Sequence, residues 1–144
     1  MASSSSKHYV TQGVGEEYPY PSHVCAPNFV TFKLSGKDEY RIWKTQMLCL
    51  IESHCMLGFI DGTFVTPQTS DHHLLEHWRR SDALIKGWIL GSLSNETLMS
   101  VLDRVAEKPI QETPAKRLWD ELATIYNPAV SQLGTISLLL NFSR

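Results

Sequence analysis

The chain has 144 residues, enough for one domain with a substantial core if most of it folds. Its 13 basic and 15 acidic residues leave a net charge of −2 with neither sign in a block, which disfavours a surface built to track nucleic-acid phosphates. The longest apolar runs fall short of a membrane span, and Cys25, Cys49 and Cys55 show no CxxC spacing, so the expected setting is cytoplasmic with reduced thiols.

Residues 1–28 read as a disordered tail, with a serine run at Ser3–Ser6 and Pro19, Pro21 and Pro27 interrupting any regular element. Residues 29–144 read as a helical domain. Val30, Phe32 and Leu34 alternate as a short extended lead-in. Ser35-Gly36-Lys37-Asp38 then resembles a capping box with a shortened acid. The stripe Tyr40, Trp43, Met47, Leu50 and Ile51 predicts a helix from about Lys37 to His54, stopping near Met56–Leu57, with Gly58 suited to a left-handed terminal position. Asp61-Gly62 between Phe59-Ile60 and Phe64-Val65 is a hairpin-turn signal, but the flanking runs are short and Pro67 limits the second, so a packed loop is expected.

Ser70 or Asp71 caps the next helix, about Asp71 to Ser92, around which the rest is organised. Trp78, Ile85 and Ile89 lie on one stripe with Leu74, widened by Leu84 and Trp88. Gly87 and Gly91 each cost about 1 kcal/mol of helix propensity relative to alanine, which suggests close approach of a neighbouring helix. Asp82 either turns inward to bond a neighbouring backbone or basic group or stands exposed on the flank. Ser94 or Asn95 restarts a short helix to about Arg104, carrying Leu98, Val101, Leu102 and Val105. Glu107–Glu112 is a loop. Thr113 as cap and Pro114 as first helical residue open a helix with the stripe Ala115, Leu118, Trp119, Leu122, Ile125 and Tyr126, closed by Asn127-Pro128. A last amphipathic stretch runs from Val130 to Phe142. The expected fold is an all-α bundle of four to five helices.

Candidate chemistry is sparse. His73-Leu74-Leu75-Glu76-His77 matches the H-x-x-E-H spelling of inverted zinc proteases, in which two histidines four apart share a helix face and the glutamate works on zinc-bound water. Such a site also needs a third ligand, and none of Glu107, Glu112 and Asp120 is singled out by spacing. Histidines on a solvated first turn are the simpler reading. Cys49 and Cys55, beside a helix stripe, are expected to pack as small apolar residues and not to bind zinc with His54. No phosphate loop and no serine elbow is present. The expectation is therefore no catalytic residue, no metal, no cofactor and no small-molecule ligand.

The order of landmarks carries more. Phe32-Lys33-Leu34-Ser35-Gly36 followed by Tyr40-Arg41-Ile42-Trp43-Lys44 and Met47, then Leu57-Gly58-Phe59-Ile60-Asp61-Gly62, then Trp78, Asp82, Trp88-Ile89 and Ser92-Leu93-Ser94, then Ala115-Lys116-Arg117-Leu118-Trp119 with Leu122 and Tyr126, resembles the N-terminal region of plant copia-type LTR-retrotransposon Gag proteins. The similarity spans about residues 29–130, and Asp38-Glu39 stand where the family often has Asn before the tyrosine. The resemblance implies a capsid-like helical domain that self-associates to build particles and has no active site. Its motif core would be Tyr40, Trp43, Trp78, Asp82, Trp88, Leu118, Trp119 and Tyr126, with the chain a fragment or remnant whose further helices are missing. The expected partners are a second copy or intact Gag, with Leu139 and Phe142 as contact residues and no direct nucleic-acid or membrane contact. The alternative is a host-retained interaction module derived from Gag.

Overall fold

A computed structural model describes residues 29–127. The tail expected over 1–28 and the last amphipathic stretch lie outside the described residues. Among these are five helices and a 3-10 turn: α1 Lys37–Ser53, α2 Gly58–Asp61, α3 His72–Gly91, α4 Asn95–Arg104, the turn Ile110–Glu112, and α5 Ala115–Tyr126. The all-α bundle is as expected.

The lead-in enters the bundle through backbone pairing. Leu34 donates to the Ser92 carbonyl (2.9 Å) and accepts from the Ser94 amide (2.9 Å), an isolated parallel bridge to Leu93. Val30 and Leu34 are buried and Phe32 is half-buried, so the alternation read in the sequence does place one side inward. The cap of α1 sits one residue later than expected. Gly36 takes the cap position without a side-chain bond, and Glu39, not Asp38, reaches back to the Ser35 amide (3.2 Å) and hydroxyl (2.9 Å). The longer acid is the one a turn above, and it alone reaches.

All five expected stripe residues of α1 are buried. The helix ends at Ser53, earlier than expected, because Cys55 and not Gly58 takes the left-handed conformation (φ 56°). The Met56 amide bonds Ile51 O (3.1 Å) and the Cys55 amide bonds Glu52 O (2.9 Å), the paired bonds of a Schellman termination. That turn drops Met56 into the core beside Ile51, both fully buried. Gly58 serves a different purpose: the Phe64 ring lies against it and leaves no room for a Cβ. The Asp61-Gly62 signal belongs to α2, a single helical turn, and not to a hairpin or a loop. Gly62 (φ 87°) is its left-handed C-cap, and Asp61 Oδ1 accepts from the Thr63 amide (2.8 Å) and hydroxyl (2.7 Å).

In α3 the Asp71 carboxylate caps the His73 and Leu74 amides, and Trp78, Ile85, Trp88 and Ile89 are buried. The close approach expected at Gly87 and Gly91 is absent among the described residues: both are exposed, and an added Cβ would meet nothing within 4 Å. Cys49 and Cys55 are exposed as well, contrary to expectation. Cys49 lies off the Trp43–Met47–Leu50 stripe, and Cys55 is used up by the turn. Val101 of α4 and Val105 at its C-cap are buried and Leu102 is exposed, while the Ser94 hydroxyl caps the Thr97 amide.

One core collects all these faces. Trp43, Trp78 and Trp88 are buried in it and Trp119 packs half-buried against it. Trp88 supplies the largest side chain of the C-terminal half of α3 at 4% exposure, so Trp88→Ala is expected to cost about 3–5 kcal/mol. Thermal melts of the two proteins check this; a midpoint within a degree or two of the parent would rule it out. Ser81 is fully buried and its hydroxyl has no hydrogen-bond partner among the described residues, so Ser81→Ala is expected to leave stability unchanged or raise it.

Candidate functional site

The motif residues converge on two polar knots set into the core. The first is built on α3 by Asp82 and Lys86, one helical turn apart and both buried, with the Asp82 Oδ2 to Lys86 Nζ distance 3.3 Å. Asp82 Oδ1 accepts from the Ala115 amide (2.9 Å), a partner 33 residues away in sequence. Asp82 thus caps α5 from outside that helix, the inward one of the two orientations that the sequence left open. The expected cap residue, Thr113, instead donates its hydroxyl to the Pro109 carbonyl (3.3 Å), and Pro114 stands at the cap position with extended backbone. An N-terminal amide aimed at a carboxylate is favourable through both the hydrogen bond and the helix dipole.

Lys86 completes the knot. Its ammonium donates to the carbonyls of Ile110 (2.9 Å), Gln111 (3.4 Å) and Thr113 (2.9 Å), which belong to the 3-10 turn and the residue that closes it. The carbonyls and one carboxylate supply the acceptors that a buried ammonium requires. Burial pushes the Asp82 carboxyl above its ordinary value of 3.8, outweighing the Ala115 and Lys86 contacts that pull it down. Lys86 was not singled out in the sequence. Its signal was an Asp–Lys pair four apart inside an otherwise apolar stripe.

The second knot joins α1, the α3–α4 junction and α5. Trp43 Nε1 donates to Ser92 Oγ (2.8 Å), which donates onward to the Ile89 carbonyl (2.8 Å). The Trp43 ring lies 5.7 Å from Trp119 and 6.1 Å from Tyr40, and Tyr40 stacks on Tyr126 at 5.4 Å. The Tyr126 hydroxyl meets Thr97 Oγ1 at 2.5 Å. Burial, with the Asp120 carboxylate adding to it, holds the Tyr40 phenol above its usual 10.0. Leu118 is fully buried beneath this cluster. Two further motif indoles anchor the two halves of α3, Trp78 donating to the Phe64 carbonyl (3.0 Å) with the Phe59 ring 5.7 Å away, and Trp88 lying 5.4 Å from His54.

The structure thus brings Tyr40, Trp43, Trp119 and Tyr126 together, places Asp82 a separate step away, and sets Trp78 and Trp88 on either side of it along α3. Leu139 and Phe142 lie outside the described residues. His73 is exposed and His77 half-buried on the first turns of α3, beside Asp71, whose carboxylate is occupied as the cap. Among the described residues no three His, Cys, Asp or Glu side chains are grouped so as to hold a metal ion. What the arrangement does chemically is fix helices to one another. No helix among the described residues is long and apolar enough to cross a membrane.

The knot around Asp82 makes a pH-dependent prediction. Because its folded-state pKa is raised, the native protein takes up this proton before the unfolded chain does, so this group favours folding increasingly as pH falls toward 3.8. The stability of the parent relative to Asp82→Asn is therefore expected to rise on acidification from pH 7. Asp82→Ala, which strips the cap, should cost about 1–3 kcal/mol. Lys86→Met, which leaves the carboxylate buried without its cation, should cost about 3–5 kcal/mol. Urea melts of the single variants and of Asp82→Asn with Lys86→Met check the coupling, which must be non-additive if the pair acts as a unit.

No family model matches the chain. No solved structure matches it. Two curated proteins of Arabidopsis thaliana do. The retrovirus-related Pol polyprotein from transposon RE2 is 28% identical over 116 residues, 73% of this chain, and the one from transposon RE1 is 31% identical over 110 residues, 67% of this chain. The chain spans 7% of the length of each of these relatives. It is a retrotransposon-derived protein, similar to one short part of those polyproteins.

Proposed function

We propose that the chain is a non-enzymatic, Gag-like structural domain of a copia-type retrotransposon, whose work is self-association. The observation that carries this is the similarity to a short part of two transposon polyproteins, over a segment that here folds as one helical core. The eight motif-core residues from Tyr40 to Tyr126 support the finer assignment, since all of them are core or knot residues. The buried Asp82 and Lys86 are absorbed in holding α5, and so support an architectural reading of the motif. The charged surface also favours protein over RNA as partner: Arg104 pairs with Glu121, and Arg117 with both Glu107 and Glu121. Binding to RNA that neutralises few phosphates is weak at physiological salt.

Self-association through the last amphipathic stretch is expected to give a monomer in equilibrium with a weak dimer at micromolar concentration. Regular particles are not expected. Leu139→Asp combined with Phe142→Asp is expected to abolish the dimer and leave the helical signal intact. Light scattering and electron microscopy of the parent and the double variant decide this. Regular particles from the parent would move the assembly surfaces into residues 29–130. A strict monomer indifferent to the double change would instead favour a module that binds intact Gag.

A further inference from the structure

Proline follows a threonine twice in this chain, at Thr66-Pro67 and at Thr113-Pro114, and no serine precedes a proline. The fold treats the two dipeptides oppositely. Thr113 is buried, and its hydroxyl donates to the Pro109 carbonyl. Thr66 is exposed in the connection between α2 and α3, and its side chain has no hydrogen-bond partner among the described residues. Two other threonines of that connection are engaged, Thr63 donating to Asp61 (2.7 Å) and Thr69 accepting from the Asp71 amide (3.0 Å).

The connection is fastened at both ends. Phe64 accepts from Trp78 and lays its ring on Gly58, while Asp71 caps α3. Between them Val65 to Gln68 lie in no helix or bridge, and Pro67 disfavours helical backbone at Thr66. Thr66 also shares a surface hollow of about 440 Å³ with Trp78, Arg79, Gln111 and Glu112. Gln111 lends its carbonyl to Lys86, but Thr66 and Arg79 take no part in that knot. The Arg79 guanidinium is exposed, with no ion pair or hydrogen bond among the described residues.

We propose that Thr66 is a phosphorylation site for a proline-directed kinase, and that Arg79 receives the phosphate. An accessible hydroxyl in a non-helical segment, with proline next in the chain, is the substrate such an enzyme selects. In the reaction the Thr66 hydroxyl oxygen bonds the γ-phosphorus of ATP, the bond from that phosphorus to the departing ADP breaks, and the hydroxyl proton passes to the base of the kinase. The product carries nearly two negative charges and three acceptor oxygens at neutral pH. A planar guanidinium matches two of those oxygens at once. Glu112, the acid of the same hollow, opposes the phosphate and sets a limit on the gain. The modification thus ties the connection to α3 without entering the core. It goes beyond the proposed self-association and does not rest on it.

The folded full chain, incubated with a proline-directed kinase and ATP and mapped by mass spectrometry, tests the site. Thr66 is expected to be labelled, and Thr113 on the order of a hundredfold more slowly, since it must wait for the domain to open. Phosphorus NMR of the labelled chain tests the receiver. The second ionisation of the phosphate is expected about half a pH unit or more below that of a phosphopeptide spanning residues 63–70. Arg79→Gln, at an exposed side chain, should return it to the peptide value, and Glu112→Gln should lower it further. No labelling of Thr66, or equal labelling of the two threonines, would overturn the proposal. An ionisation equal to that of the peptide, or one unmoved by Arg79→Gln, would overturn it as well.

Discussion

The fold depends on how the end of one connection is held. The stretch between α4 and α5 carries carbonyls at Ile110, Gln111 and Thr113 and a free amide at Ala115, all turned toward the interior. Left unmet, such groups are expensive to bury. One helical turn of α3 meets them all, Lys86 taking the carbonyls and Asp82 the amide. The two side chains also neutralise each other, so neither enters the core as a lone charge. Once α5 is set at its first residue, Leu118 and Leu122 fall into the core and Trp119 onto Trp43. The aromatic knot follows from the ionic one.

The two knots differ in what they specify. Hydrophobic burial of Trp43, Met47 and Ile85 is tolerant of rotation, since an apolar face gains from many arrangements. Trp43 Nε1 to Ser92 Oγ and Tyr126 to Thr97 are directional, and they select one rotation of α1 and one of α5. The rim ion pairs of Arg104 and Arg117 add little to this, being largely solvated.

Much of the fold was legible in the sequence where local periodicity decides. The stripe of α1, the Asp71 and Ser94 caps and the bounds of α3 and α4 follow from spacing and capping chemistry within a few residues. Reading failed where a residue answers to something distant. Thr113 has the features of a cap, but the Asp82 carboxylate, 33 residues before Ala115, takes the amide instead. Asp61-Gly62 suits both a hairpin and a helix C-cap, because each needs the left-handed conformation that glycine permits. Cys55 at positive φ has no local signal; the turn is set by where Met56 must be buried. The residues named from the sequence as a motif core prove buried or half-buried, and the inward orientation of Asp82 was an open alternative. Lys86 was hidden by its own type, since lysine within a stripe reads as a flank until its acceptors are known.

The bridge between Leu34 and Leu93 has a mechanical consequence. The chain entering the domain does not end at α1 but is fastened first to the junction of α3 and α4, by two hydrogen bonds either side of Leu34. The Lys33 ammonium grips the Gly91 carbonyl next to it. Tension arriving through residues 1–28 is therefore delivered to the centre of the bundle and shared by α3 and α4, while α1 is shielded behind the clasp. A load that would otherwise unwind the first helix from its end must first shear the clasp as a unit. Under such a load the clasp acts as a strain relief for the whole core.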